Sequence, residues 1–156
     1  MGRLAVALLL SLGALSAGQA VAGGDERVPP VGNAVVRAEC GACHMAFQPA
    51  FLPARSWHRL LDGLADHFGE DAGVSADSIA IIRAYMTANA GDVAGRGSAG
   101  KYMRWVSPDG APLRITANPE FRRKHRFPDS VWTDPKVLTR SNCLACHPRA
   151  DAGVYE

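Results

Sequence analysis

Two Cys-x-x-Cys-His patterns constrain this chain more than any other feature. They run Cys40-Gly41-Ala42-Cys43-His44 and Cys143-Leu144-Ala145-Cys146-His147, and together they use all 4 cysteines of the 156 residues. A disulfide framework gives no reason for a histidine to follow the second cysteine twice. A zinc site made of two Cys-x-x-Cys pairs keeps them about 15 to 20 residues apart, whereas these lie about a hundred apart. Two thiols one helical turn apart can each add to a vinyl group of one porphyrin, and the adjacent histidine then reaches the iron from the same side. That is the c-type haem attachment pattern. It assigns Cys40 and Cys43 to one haem and Cys143 and Cys146 to a second, with His44 and His147 as proximal iron ligands.

The start of the chain points to export. Met1-Gly2-Arg3 is followed by an apolar run at residues 4–15, LAVALLLSLGAL, and by Ala20-Val21-Ala22. This is the layout of a cleaved secretory signal over residues 1–22. The run is shorter than the roughly 18 to 20 residues that cross a bilayer. A soluble mature protein in the periplasm is expected, with no stable membrane insertion. The net charge of +2 says little by itself, but its distribution is uneven. Residues 23–100 hold 6 basic and 9 acidic residues, and residues 101–156 hold 10 basic and 6 acidic. Such asymmetry can orient a docking partner.

Periodicity predicts a mainly α chain. Residues 23–30 read as a disordered leader and residues 32–39 as a short helix delivering Cys40. Trp57, Leu60, Leu61, Leu64 and Phe68 fall on one apolar face of a helix over residues 54–68, capped by Gly69. A second helix begins after Ser75, an N-cap residue, and buries Ile79, Ile82 and Met86 before residue 89. The Gly-rich stretch 91–100 is the expected boundary between residues 23–91 and 92–156. Beyond it, residues 102–115 read as extended segments around a Pro108-Asp109-Gly110 turn. Asn118 caps a short helix with Pro119 in its first turn, residues 128–135 read as loop, and a last short helix near Ser141 carries the second attachment pattern. Neither half has enough apolar sequence for a large core, so each haem is expected to centre its own lobe.

The sixth ligand decides what each iron does: histidine or methionine closes the site for electron transfer, and an open position permits ligand binding or catalysis. His67, on the apolar face, and His125, within Arg122-Arg123-Lys124-His125-Arg126, are candidates, as are Met86 and Met103. His58 reads as a surface residue. The basic run around His125 is a solvated face, and export argues against nucleic acid as its partner.

Several segments together resemble the bacterial DHC-type dihaem cytochromes c: residues 40–45 (CGACHM), 52–57 (LPARSW), 64–71 (LADHFGED), 83–90 (RAYMTANA), 114–116, 123–126 (RKHR) and 141–147 (SNCLACH). The resemblance implies two haem-binding lobes, the first similar to a class I cytochrome c and the second irregular with short helices. It implies bis-histidine irons, with His67 paired to His44 and His125 to His147, or the crossed pairing. It also implies a place between a membrane b-type cytochrome as donor and a small soluble haem protein as acceptor. An electron carrier is therefore expected. A small dihaem peroxidase or reductase, which needs one open iron, is the alternative.

Overall fold

A computed structural model of the chain describes residues 26–95 and 97–156; the proposed signal segment 1–22 lies outside them. Among the described residues, six short α-helices and one two-stranded ribbon make up the regular structure, together with 3-10 turns. The architecture is mainly helical, as the sequence predicts. No helix among the described residues is long and apolar enough to cross a membrane.

Three helices frame the first core: α1 (Ala34–Cys40), α2 (Ala54–Asp62) and α3 (Ala76–Ala88). The Asn33 side chain accepts from the N–H groups of Val35 and Val36, and Ser75 accepts from Ser78, so both starts are capped by short polar side chains. Val36, Leu52, Trp57, Leu61, Ile82, Met86 and Ala90 pack where α1 and α2 meet α3. The Trp57 indole N–H donates to the Pro49 carbonyl at 2.9 Å, which satisfies the one polar atom that its burial removes from water.

A second core joins both halves of the chain. Val28, Ala50 and Phe51 pack with Ala99, Tyr102 and Phe121 from α4 (Ser98–Met103) and α5 (Pro119–Lys124). The ribbon pairs β1 (Glu26–Arg27) with β2 (Val154–Tyr155) in antiparallel register. Gly153 precedes β2 with φ 77, and a side chain there would collide with the Val28 carbonyl. Asn118, fully buried, caps α5 through Glu120 N–H and donates to the carbonyls of Phe51 and Tyr102, both at 3.1 Å. Arg55 donates to the carbonyls of Gly110 and Ser107 at 2.7 and 2.9 Å and pairs with Asp92. It thereby fastens α2 to the Pro108-Asp109-Gly110 turn.

Four local expectations are corrected. The leader is ordered from Glu26 onward, because β1 finds β2 and Glu26 pairs with Lys101 and Lys124. The helix expected over residues 54–68 stops at Asp62, where Gly63 takes the C-cap, and Phe68 is 44% exposed. The end of the Gly-rich stretch and the start of the expected extended segment form α4, because Ala99 and Tyr102, three residues apart, are both drawn into the second core. Residues expected as loop include α6 (Asp129–Trp132), started by Pro128.

Candidate haem-binding site

The first attachment pattern leaves the end of α1, with Cys40 its last helical residue and half-buried, and Cys43 exposed. The second lies on a 3-10 turn, Cys143–Ala145, with Cys143 half-buried and Cys146 exposed. All four thiols are free of disulfides. Burial, then Glu39, raises the Cys40 pKa, and burial pushes Cys143 up to about 11. Both inner sulfurs are therefore thiols rather than thiolates at neutral pH.

Each proximal histidine faces a second imidazole. The His44 and His67 ring centroids lie 6.2 Å apart, and those of His125 and His147 lie 6.1 Å apart. A metal held between two opposed imidazoles at about 2.0 to 2.1 Å each puts their nitrogens about 4 Å apart. With each centroid about 1.1 Å behind its nitrogen, the rings stand about 6.3 Å apart. Both pairs match that spacing. The crossed pairing is not the one found.

How the distal histidines reach these positions explains the corrected helix. Past Gly63, residues Leu64–Asp66 form a 3-10 turn, His67 N–H donates to the Glu70 carbonyl at 2.7 Å, and Asp66 Oδ1 accepts from Gly69 N–H at 2.9 Å. Phe68 is forced to φ 60, a conformation unusual for a bulky residue, and the Arg114 guanidinium lies 3.6 Å over its ring. The chain leaves its helical path here, and the turn aims His67 at His44. His125 likewise sits at the C-cap of α5.

Ring orientation comes from the Nδ1 atoms. Nδ1 of His44 bonds the Met45 carbonyl at 2.8 Å, that of His125 the Phe121 carbonyl at 3.0 Å, and that of His147 the main-chain oxygen of Glu156 at 2.9 Å. A carbonyl accepts only from N–H, so the proton of each ring sits on Nδ1 and Nε2 is left as the coordinating lone pair. Burial lowers the pKa of His67, with His44 and Arg114 adding to it. Burial also lowers that of His125, outweighing the opposing bond to the Phe121 carbonyl and aided by His147 and Lys124. Both are thus held neutral, the form that binds metal.

Among the described residues, no group of three or more His, Cys, Asp or Glu side chains could hold a bare ion. Two opposed imidazoles suit an iron whose remaining positions are filled by a macrocycle. Apolar side chains stand ready to meet such a ring: Phe68 beside His67, Phe127 beside His125, and Leu144 inside the second attachment pattern are each exposed by 42 to 49%. An open cavity of about 320 Å3 borders His44 and is lined by residues of both patterns, including Gly41 and Leu144. The residues present fit haem c at both places.

The competing candidates fall elsewhere. Met86 is buried among α2 and α3 in the first core, and Met103 packs on Gly91 and the second core. His58 is exposed and lies 3.4 Å from Arg83. Sequence reasoning missed the aromatic supports. Phe121 stacks on His125 at 4.0 Å, Phe47 on His44 at 4.9 Å, and Tyr155 meets His147 edge-on at 5.4 Å. It also missed Gln48, whose side chain donates to the Ala150 carbonyl at 2.7 Å and accepts from the Tyr155 hydroxyl at 2.6 Å. Spacing from the attachment patterns was the only signal for Phe47, three residues beyond His44.

A family model described as dihaem cytochrome c matches residues 36–155. A solved diheme cytochrome c from Rhodobacter sphaeroides is 41% identical, with a TM-score of 0.73, over 82% of this chain and 100% of that one. A structure of DHC purified from the same organism is 39% identical, with a TM-score of 0.62, over 81% of this chain and 99% of that one. A diheme cytochrome type c from Shewanella baltica OS155 is 32% identical, with a TM-score of 0.64, over 80% of this chain and 87% of that one. No curated protein matches the chain.

Proposed function

Since this chain belongs to the DHC family of dihaem cytochromes c, we propose that it is a periplasmic electron carrier whose two irons are each closed by two histidines. The family carries two covalently bound haem c groups and serves electron transfer. Each haem, when bound, supplies an iron that takes up and releases one electron. Cys40 and Cys43 would hold the first by thioether bonds and Cys143 and Cys146 the second. His44 with His67, and His147 with His125, would fill the axial positions.

The single observation that carries this reading is the matched spacing of the two imidazole pairs, 6.2 and 6.1 Å between centroids. Imidazoles held at that spacing would offer the iron the same pair of nitrogen ligands in both oxidation states. A peroxidase or reductase needs a position on one iron that a substrate can take, and the facing imidazoles favour the carrier instead. Nitrogen ligands on both sides also place the potentials below those of His/Met sites, since thioether ligation raises them.

Export of the mature chain rests on the signal-like segment 1–22. The uneven charge of residues 23–100 and 101–156 supports two different docking faces: one for a membrane b-type cytochrome as donor, one for a small soluble haem protein as acceptor. The two ligand pairs lie on either side of Gly91 along the chain, and the proposed division into 23–91 and 92–156 follows that separation. The test is the absorption spectrum of the oxidised protein with its His67→Ala and His125→Ala variants. The wild type is expected to be wholly low-spin, and each variant to turn one haem high-spin. A variant that leaves the spectrum unchanged refutes that ligand.

A further inference from the structure

The two histidine pairs agree in spacing and differ in orientation. The rings of His44 and His67 lie at 27° to one another, whereas those of His125 and His147 lie at 78°. We propose that this difference is built in by the residues around the second pair, and that it makes the second site the one where the first electron comes to rest. The proposal rests on the bis-histidine reading above.

Neither ring of the second pair is free to turn. His125 is tied through Nδ1 to the Phe121 carbonyl, and its face lies on the Phe121 ring at 4.0 Å and 11°. Phe121 is itself buried in the second core, so the plane of His125 is set by the packing of α5. Phe127 and Trp132 flank the same imidazole at 5.9 and 6.3 Å. His147 is tied through Nδ1 to Glu156 and meets the Tyr155 ring at 5.4 Å and 63°. The two planes thus answer to different segments, α5 and the strand β2, and the fold holds those segments so that the rings cross. In the first pair, His44 is tied only to its neighbour Met45, and its ring lies at the same 27° to Phe47 as to His67.

Orientation matters because an imidazole donates π density in the direction perpendicular to its own plane. Two near-parallel rings raise the same iron d orbital. The ferric hole settles there, which separates the orbital energies and stabilises the oxidised iron. Two crossed rings raise two different d orbitals about equally, so that stabilisation is lost and orbital angular momentum is left unquenched. Phe121 is therefore a positioning residue for the second iron: one electron from an external donor converts that ferric iron to ferrous before the first iron is reduced, with no proton required.

Low-temperature EPR of the oxidised full-length holoprotein reads the ligand planes directly. Two low-spin signals of equal weight are expected, one with three resolved g values and one with a single low-field feature at large g. His125→Ala should abolish the large-g signal alone. On stepwise reduction with dithionite, the large-g signal should disappear first. Phe121→Leu should move that signal towards the resolved type and leave the other unchanged. Two signals of one type, loss of the resolved signal first, or loss of the resolved signal in His125→Ala each overturn the proposal, and the wild-type spectrum decides even where a variant does not fold. A high-spin signal in the wild type refutes instead the ligand assignment on which it rests.

Discussion

Replacing Gln48 with leucine tests how the two attachment regions are held together. Gln48 lies four residues beyond His44 and is fully buried. Its amide joins the Ala150 carbonyl, three residues beyond His147, to the Tyr155 hydroxyl on β2, at 2.7 and 2.6 Å. Leucine has similar bulk but leaves the Tyr155 hydroxyl without a partner, while the Ala150 carbonyl keeps its bond from Gly153 N–H at 2.9 Å. An unmatched buried polar group costs roughly 1 to 3 kcal/mol and a lost hydrogen bond about 0.5 to 1.5 kcal/mol, so Gln48→Leu is expected to lose about 1.5 to 4.5 kcal/mol of folding stability. Tyr155→Phe removes only one of the bonds and strands one Gln48 oxygen, at a cost of about 1 to 3 kcal/mol. In the double variant the leucine and phenylalanine face each other with nothing left to satisfy between them. Its loss should fall short of the sum of the single losses by about 1 to 3 kcal/mol. The assay is guanidinium unfolding of the holoprotein, followed by far-ultraviolet circular dichroism and by Soret absorption, with coincident transitions as the check on two-state behaviour. A Gln48→Leu loss below about 0.5 kcal/mol, or strictly additive losses, would refute the reasoning.

Three further outcomes follow from other parts of the structure. The Ser56 hydroxyl is buried with no hydrogen-bond partner among the described residues; Ser56→Ala should therefore leave stability unchanged or raise it by about 1 kcal/mol, and a loss in thermal melting would show a partner there. The bond from Arg123 is the main cause that depresses the Glu120 pKa. A depressed carboxyl stabilises the fold above its unfolded value of about 4.3, and that contribution is lost as pH falls through the folded value. Glu120→Gln should flatten the acid slope of the unfolding midpoint in that window, and an unchanged slope contradicts the assignment. The dithionite-reduced protein should not bind carbon monoxide, because each iron is closed on both sides; a shifted Soret band on adding the gas would show an open position.

Much of the site was legible from local chemistry. The attachment patterns named the thiols and proximal histidines because the reaction with haem demands thiols and imidazole at that spacing. Capping by Ser75 and Asn118 was likewise readable, since a short polar side chain before an apolar-periodic run is a local signal. The distal histidines were harder. Periodicity carried the helix of Trp57 through to Phe68, yet Gly63 and the Asp66–Gly69 turn end it early, and the apolar spacing beyond them is coincidental to the turn that aims His67. What stayed hidden was non-local. The glycines of residues 91–100 masked α4, which forms because Ala99 and Tyr102 are buried against Phe51 and Phe121. No local pattern announces that Gln48 pairs with residues about a hundred positions away, or that Glu26–Arg27 finds Val154–Tyr155.

Near-infrared magnetic circular dichroism of the oxidised holoprotein tests the central claim most directly, because the energy of the low-spin ferric charge-transfer band reports the axial pair. The account predicts that bis-histidine intensity accounts for both irons. A band at the histidine–methionine position, or a high-spin contribution from either iron, would contradict it.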